Sequence, residues 1–310
     1  MSRSSSSGRA SVSVVESICR TVPVKLASGG FASCANAPTH AAQSSKMSAF
    51  IRTHLTCYAN ALDIPAYLKR IDYTGPPRES PDTLRGLHLA HLYAVPFENL
   101  DIHLGRRLSL DEAALFDKVV TRGRGGFCYE LNGLFCALLR DLGFRVTMLS
   151  AEVARKAGGF SPAFDHLTLR VDLDDSWLAD VGFGEGFRLP VRLDDAADQP
   201  QGDSAYLIIQ DGDYRVLLRR DAGGDWTPQY RFTLQPRALA DFADRCHFHQ
   251  TSPESHFTQE RICSLATPEG RVTLSGMRLI ETTPAGRTES DLTGEAEYAA
   301  TLRERFGVIE

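Results

Sequence analysis

The apolar positions of the chain follow a helical period in its first half and a strand period in its second. From Met47 onward, the pattern predicts helices over residues 50–71 and 81–93. A further helix is expected to start near residue 128, because apolar residues recur at helical spacing and Gly143 is placed to end the run. The recurring residues are Leu131, Leu134, Phe135, Leu138 and Leu139. The first folded part is therefore expected to be mostly helical.

A capping pattern indicates one more helix before residue 128. Ser109 is followed three positions later by Glu112, and this spacing is typical of a capping box in which Ser109 is the N-cap. The helix that it opens is expected to bury the apolar residues between positions 113 and 120.

Alternation with a period of two predicts a hairpin in the second half. In residues 166–171, apolar residues alternate with His166, Thr168 and Arg170. A turn is expected over residues 172–176, followed by a partner strand over residues 177–181. Further strands are predicted over residues 145–153, 206–209, 214–218, 258–265 and 271–274, and a short helix near residues 236–245.

The first 46 residues differ in composition from the rest. They are rich in Ser and Ala, contain scattered basic residues and have Glu16 as their only acidic residue. We interpret residues 1–46 as a disordered N-terminal extension, and a transit peptide is the alternative.

Charge and cysteine content narrow the class of protein. The formal net charge of −5 gives no basic surface for nucleic acid, and we find no apolar run long enough to span a membrane. The seven cysteines are odd in number, irregularly spaced and without a Cys-x-x-Cys pair. This pattern argues against a disulfide framework and favours a reducing, cytoplasmic setting.

Three residues could together form a thiol nucleophile with its base. Cys128 follows a glycine-rich stretch at the start of a predicted helix, where unpaired amides stabilise a thiolate. His166 starts the first hairpin strand, and Asp180 lies near the end of its partner. A nucleophilic cysteine needs a base, and the base needs a group that fixes its tautomer. We therefore expect Cys128, His166 and Asp180 to be catalytic, although spacing alone does not identify the reaction.

Several motifs resemble those of the arylamine N-acetyltransferases. Residues 124–132 (Arg-Gly-Gly-Phe-Cys-Tyr-Glu-Leu-Asn) are similar to the nucleophile motif of that family, and residues 95–100 (Val-Pro-Phe-Glu-Asn-Leu) to another of its signatures. Residues 165–169 and 179–184 resemble its histidine and aspartate segments in the expected order. Residues 252–257 and 270–274 resemble its C-terminal part.

The resemblance implies an α+β fold and a domain organisation. A helical domain over residues 47–143 would carry the nucleophile, a small antiparallel β-barrel over residues 144–230 would carry His166 and Asp180, and an α/β lid would follow over residues 231–310. The catalytic core would be similar to that of papain-like cysteine proteases.

The resemblance also implies a reaction. Cys128 would take an acetyl group from acetyl-CoA and pass it to an aromatic amine or hydrazine in a ping-pong cycle, with His166 as base and Asp180 as the group that orients it. Acetyl-CoA would be a cosubstrate; no permanently bound cofactor and no metal are expected.

Further residues have less specific expectations. By the resemblance, Glu98 and Arg124 pair and brace the loop before Cys128; the alternative is two solvated charges. Phe127 and Phe164 could stack on an arylamine or belong to the core. The family also places CoA contacts in the loop 158–164, which makes Ser161, Pro162 and Ala163 candidates, although this loop departs from better-known members.

Two rival functions share the same three residues. A thiol hydrolase or transglutaminase-like enzyme could pass the acyl group to water or another acceptor, and a binding protein could keep the scaffold without activity. The motifs at residues 95–100 and 252–257 favour the acetyltransferase, because a generic thiol hydrolase has no reason to carry them.

Overall fold

The computed structural model describes residues 62–309. The predicted extension over residues 1–46 and most of the predicted helix over residues 50–71 lie outside this range. No helix within the described residues combines the length and the apolar character that crossing a membrane requires.

Helices dominate the part of the chain up to residue 141. Pro81 occupies the first position of the second helix and Ser80 caps it, so the sequence predicted this start correctly. The helices are α1 (Ile64–Arg70), α2 (Pro81–Ala94), α3 (Leu100–His103), α4 (Glu112–Phe116) and α5 (Cys128–Asp141), with a π-helical turn at Asp117–Thr121 after α4.

Eight antiparallel strands form a sheet that curls into a nearly closed barrel. The strands are β2 (Arg145–Val153), β3 (His166–Asp172), β4 (Ser176–Ala179), β5 (Val191–Arg192), β6 (Gln199–Gln201), β7 (Ser204–Asp211), β8 (Tyr214–Asp221) and β9 (Thr227–Phe232). Their spatial order is β5-β4-β3-β2-β9-β8-β7-β6. The predicted hairpin β3–β4 is confirmed, and the strands predicted over residues 206–209 and 214–218 pair as a second hairpin, β7–β8.

A second antiparallel sheet has the order β1-β10-β11-β12-β13. It consists of β1 (Phe97–Glu98), β10 (Ile262–Thr267), β11 (Gly270–Ser275), β12 (Arg278–Thr283) and β13 (Gly286–Asp291). Beside these strands lie a 3₁₀ turn (Leu239–Phe242) and the helices α6 (Ala243–Thr251), α7 (His256–Gln259) and α8 (Glu295–Phe306). Through β1, this sheet reaches back to the segment that precedes α3.

The largest hydrophobic core surrounds α5. Every residue from Cys128 to Leu139 is buried, because α1 and α2, the barrel strands β2 and β3, and Phe242 all pack around this helix. A second cluster fills the barrel, and a third lies between the five-stranded sheet and α8. The buried helix fixes the position of its first residue, Cys128.

Three local predictions are wrong. Asp111, not Ser109, caps α4, and its carboxylate accepts the Ala114 amide at 3.1 Å. Both residue types cap helices well, so the spacing to Glu112 alone did not decide between them. The predicted continuous helix over residues 113–120 changes to π-helical geometry at Asp117. The strand predicted from residue 258 starts only at Ile262, because Ser255 caps the short helix α7.

Two buried histidines on α2 make stability depend on pH. Burial lowers the pKa of His88 to about 4 and that of His91 to about 3. In the unfolded chain both imidazoles titrate near pH 6.5. Their contribution to stability is therefore complete above about pH 6.5 and is lost as the pH falls toward 4. Near pH 5 the two residues should together add about 2.7 kcal/mol per pH unit to the slope of the unfolding free energy.

We expect His91→Phe to remove about half of the pH-dependent slope that the two histidines add to the free energy of unfolding. The ring of His91 packs against Phe135, so a phenyl group fits the site. The measurement is the free energy of unfolding in urea at pH 7, 6 and 5. The variant should lose about 1.4 kcal/mol per pH unit of slope relative to wild type. Exposed His103→Gln is the control and should keep the wild-type slope. An unchanged slope in His91→Phe would contradict the assignment.

Candidate active site

Cys128 is the first residue of α5 and is 4% exposed. The preceding loop pairs with the segment before α3: the Glu98 amide donates to the Gly126 carbonyl at 2.8 Å, and the Gly126 amide to the Pro96 carbonyl at 3.3 Å. A β-carbon on Gly125 would lie 2.0 Å from the Pro96 oxygen, so only glycine fits there. The motifs at residues 95–100 and 124–132 are therefore two sides of one structural unit.

The environment of the Cys128 thiol acts on its ionisation in opposite directions. Burial raises the pKa of the thiol well above its ordinary value, and the negative charges of Asp180 and Asp165 add to this effect. A backbone hydrogen bond from Leu167 and the helix N-terminus favour the thiolate. The helix position that was recognised in the sequence is thus insufficient by itself, and a nucleophilic thiolate here needs a base.

His166 and Asp180 are in direct contact. His166 Nε2 lies 2.6 Å from Asp180 Oδ2, and both side chains are buried. His166 starts β3 and Asp180 immediately follows β4, so the hairpin brings them together across 14 positions. The Leu167 amide that bonds the thiol follows His166 directly. The structure therefore gathers all three predicted residues at the junction of α5 and the β3–β4 hairpin.

Four donors surround the Asp180 carboxylate. Oδ2 accepts from His166 and from the Tyr230 hydroxyl at 2.9 Å. Oδ1 accepts from Asn132 Nδ2 at 2.8 Å and from the Gly182 amide at 3.1 Å. Burial opposes the ionised form, but His166 and these hydrogen bonds hold the pKa of Asp180 below its ordinary value. Asp180 is thus a fixed anion.

His88 holds the backbone of Asp180. The Asp180 amide donates to His88 Nε2 at 3.0 Å, so this nitrogen carries no proton. The proton is on Nδ1, which donates to the Arg188 carbonyl at 2.8 Å. The low pKa that burial gives His88 is consistent with this neutral form. Helix α2 therefore supports the aspartate from behind.

A buried charge cluster braces the loop before Cys128. It consists of Glu98, Asp101, Lys118, Arg124 and Glu130, each no more than 8% exposed at its side chain. Arg124 Nη2 lies 2.8 Å from Glu98 Oε1, and Lys118 Nζ lies 2.9 Å from Glu130 Oε1. Glu130 Oε2 in turn accepts the Phe127 amide at 3.1 Å. The pair proposed for Glu98 and Arg124 is present and buried, as part of a larger network.

The remaining predicted residues lie in two environments. Phe127 is fully buried between the rings of Tyr129 and Phe257, which favours its core alternative. Phe164 is half-buried, with its ring 5.3 Å from that of Phe242. Among the CoA candidates, Ser161 is buried and its hydroxyl accepts the Val153 amide at 2.8 Å. The other two candidates, Pro162 and Ala163, are exposed.

Sequence reasoning gave no role to four residues that hold or line the site. Asn132 lies one turn after Cys128 on the same face of α5, and a polar residue on that buried stripe was a usable signal. His88 and Tyr230 lie 92 and 50 positions from Asp180, and no local pattern connects them. Phe183 packs its ring edge 5.1 Å from the His166 ring. Within residues 62–309, no group of three or more side chains is suited to hold a metal ion.

Comparison with known proteins assigns the class of this fold and site. A family model described as N-acetyltransferase matches residues 81–309. The pineal gland arylamine N-acetyltransferase isozyme of Gallus gallus is 36% identical over 274 residues, covering 80% of this chain and 94% of the relative.

Solved structures give the same result. The arylamine N-acetyltransferase of Salmonella typhimurium superimposes with a TM-score of 0.75 at 32% identity, over 79% of this chain and 90% of the other. The Mycobacterium marinum enzyme in complex with CoA gives a TM-score of 0.73 at 34% identity, over 79% and 93%. The protein is therefore a transferase. The chain belongs to the arylamine N-acetyltransferase family.

Proposed function

We propose that this protein transfers an acetyl group from acetyl-CoA to the nitrogen of aromatic amines or hydrazines, through an acetyl-cysteine intermediate on Cys128. The observation that carries the proposal is the 2.6 Å contact between His166 and Asp180 beside the buried thiol. The CoA complex of the Mycobacterium marinum relative supports acetyl-CoA as the donor. Because CoA leaves before the amine reacts, the cycle is ping-pong.

In this mechanism His166 is the base. Asp180 binds the proton on Nε2, so Nδ1 keeps its lone pair and can accept the thiol proton. The thiolate attacks the thioester carbonyl, and backbone amides at the start of α5 hold the oxyanion. The carbon–sulfur bond to CoA breaks, and the CoA sulfur takes the proton from His166.

The second half of the cycle consumes the acetyl-cysteine. The amine attacks the thioester, His166 accepts a proton from the amine nitrogen, and the Cys128 sulfur leaves. Weakly basic arylamines are unprotonated at neutral pH, so their lone pair is available. Thioester exchange is nearly neutral in free energy, whereas amide formation is favourable and drives the cycle forward. No metal takes part in these steps.

Supporting roles follow from the placement of the other residues. Glu98 and Arg124 hold the loop before the nucleophile, and the exposed Pro162 and Ala163 are better placed than Ser161 to contact CoA. The half-buried Phe164 remains a candidate arylamine contact. The proposal includes the three-domain arrangement, the papain-like core and the cytoplasmic setting expected from the sequence.

Intact mass measurement with acetyl-CoA tests the proposal. Without amine, the full-length protein should gain the mass of one acetyl group, and peptide mapping should locate it at Cys128. Adding an arylamine should remove it and release the acetylated amine. Cys136→Ala, which changes a fully buried cysteine two turns along α5, is the matched control and should still be acetylated.

The same experiment separates the rival functions. Rapid hydrolysis of acetyl-CoA without amine would favour a thiol hydrolase. A protein whose mass never changes, in a sample that binds acetyl-CoA, would favour the binding-protein alternative. An acetyl group located on another residue would overturn the assignment of the nucleophile.

A further inference from the structure

A cavity lies between α2, the barrel and the five-stranded sheet. Its volume is about 460 Å³. Two guanidinium groups, those of Arg188 and Arg271, belong to its wall, together with the aromatic rings of Tyr93 and Tyr206. We call this cavity the arginine pocket. None of the residues predicted as catalytic lines it.

Arg188 uses only neutral partners. It donates to the Tyr93 hydroxyl at 3.2 Å and to the carbonyls of Pro268 and Gly270 at 3.1 and 2.7 Å. Within residues 62–309, no carboxylate oxygen lies within 4.0 Å of its guanidinium nitrogens. These contacts fix the side chain without neutralising its charge.

Arg271 is in a similar position and, like Arg188, is half-buried. It donates to the Ser264 hydroxyl at 3.0 Å, and it too has no carboxylate oxygen within 4.0 Å in the described part of the chain. Burial lowers the pKa of Arg271 to about 10. The negative charge of Glu185 raises this pKa, whereas the positive charges of Arg188 and Arg219 lower it further. The buried Arg124, by contrast, contacts both Glu98 and Asp101.

The carboxylates around the pocket compensate these two charges only at a distance, chiefly through Glu185 acting on Arg271. Glu185, Asp203 and Glu269 belong to its lining but are exposed. Glu185 lies 3.5 Å from Arg219, which also contacts Asp221 at 2.8 Å. Arg219 is therefore neutralised by direct contact, whereas within the described residues neither Arg188 nor Arg271 contacts a carboxylate directly. A half-buried charge without a contacting carboxylate is only partly solvated, so an external anion would stabilise this arrangement.

We propose that the arginine pocket binds the phosphate group of a small molecule. Guanidinium groups bind phosphate oxygens through paired, charge-assisted hydrogen bonds, and two of them match the charge of a phosphate dianion. The tyrosine rings offer an apolar surface for the rest of the ligand. Free inorganic phosphate and the phosphates of CoA are two sources of this group. Binding here does not depend on acyl transfer at Cys128.

The pocket is also linked to the candidate active site. The carbonyl of Arg188 accepts the Nδ1 proton of His88, and the other nitrogen of His88 accepts the amide of Asp180. The backbone of Arg188 and the side chain of His88 thus join the wall of the pocket to Asp180.

Thermal unfolding of the full-length protein tests the site. The Tm is measured in inorganic phosphate and in sodium chloride at equal ionic strength, and the two values are compared. Wild type should gain more Tm in phosphate than in chloride. Arg271→Met should lose that difference, and calorimetry should show phosphate binding weakened by at least about tenfold. In chloride alone this variant should be at least as stable as wild type, because a half-buried charge without a contacting carboxylate has been removed and the apolar stem is kept.

Arg278→Met is the matched control. This arginine lies on the next strand, is exposed and contacts Glu289 and Asp291 at 3.2 and 3.3 Å. It should keep the full phosphate response, which separates binding from the general stabilisation that phosphate gives folded proteins. An equal response in Arg271→Met and wild type would overturn the proposal. So would a wild type that responds no more to phosphate than to chloride, or an Arg271→Met that is less stable in chloride.

Two further ligands distinguish the sources of the phosphate. If the bound phosphate group is that of CoA, Arg271→Met should weaken CoA binding by at least about tenfold. Binding of pantetheine, which lacks the phosphates, should be unchanged. If it is free phosphate, CoA affinity should be unchanged while the response to inorganic phosphate is lost. Equal weakening of CoA and pantetheine would show a general structural effect and overturn the site.

Discussion

Asp180→Asn is expected to lower kcat for acetyl transfer by about 10³–10⁴-fold while the protein remains folded. The side of the carboxylate at Oδ1 faces Asn132 Nδ2 and the Gly182 amide, and both of these groups can only donate. The amide nitrogen of the new asparagine must therefore point toward His166. A donor at that position accepts no proton from Nε2, so the imidazole changes tautomer and carries its proton on Nδ1. The nitrogen that should receive the thiol proton is then blocked.

The measurement is single-turnover acetylation followed by steady-state kcat, with circular dichroism as the check on folding. Tyr230→Phe is the matched control, because it removes one neutral donor to Asp180 Oδ2 without adding a new one. Because the acceptor is ionised, this loss corresponds to about 1.5–3 kcal/mol, or roughly ten- to 150-fold in rate. Turnover at the wild-type rate in Asp180→Asn would show that the carboxylate does not orient His166.

Lys118→Met is expected to destabilise the fold by about 3–5 kcal/mol. Lys118 Nζ lies 2.9 Å from both Glu130 Oε1 and Asp101 Oδ2, and 3.9 Å from Glu98 Oε1. Burial opposes the charge of Lys118, but these three carboxylates hold the pKa of its ammonium above its ordinary value. Without it, Glu98 and Asp101 keep Arg124, and Asp101 also keeps the half-exposed Arg106. Within the described residues, Glu130 is left with no contacting cation.

Urea unfolding at pH 7 and pH 5 measures this effect. Burial already raises the pKa of Glu130, and loss of Lys118 should raise it further. A protonated Glu130 needs no cation, so the deficit of the variant should shrink as the pH falls. Arg122→Met is the control, since its contact with Asp117 at 2.9 Å is half-exposed and should contribute no more than about 1 kcal/mol. Equal decreases in the free energy of unfolding of Lys118→Met and Arg122→Met would mean that the buried charge cluster does not stabilise the fold.

Local sequence patterns predicted many of the elements that carry the site. Strict alternation placed the β3–β4 hairpin, and the leucine spacing after Cys128 placed α5. Both elements are long enough and periodic enough for burial on one face to be visible in the sequence. The short elements were harder. The cap of α4 and the start of β10 were misplaced, because neighbouring Ser and Asp residues cap equally well and a four-residue helix shows no period.

The C-terminal helix α8 went unpredicted although its pattern was present. Tyr298, Leu302 and Phe306 lie four residues apart and are all buried. Their stripe is short and its neighbours are charged, so its importance became visible only where it packs on the five-stranded sheet.

By itself, the sequence determined the family and predicted the nucleophile and its two expected partners, because these are carried by residue types in a fixed order along short segments. Only the tertiary structure decided what surrounds them. It brought Asn132, Tyr230 and His88 onto Asp180 and joined five charges beneath the loop before Cys128. Within residues 62–309, it left Arg188 and Arg271 without a carboxylate in direct contact. Periodicity indicates which face of an element is buried. Which groups that face meets depends on contacts between distant segments, and these contacts decide where charge is compensated.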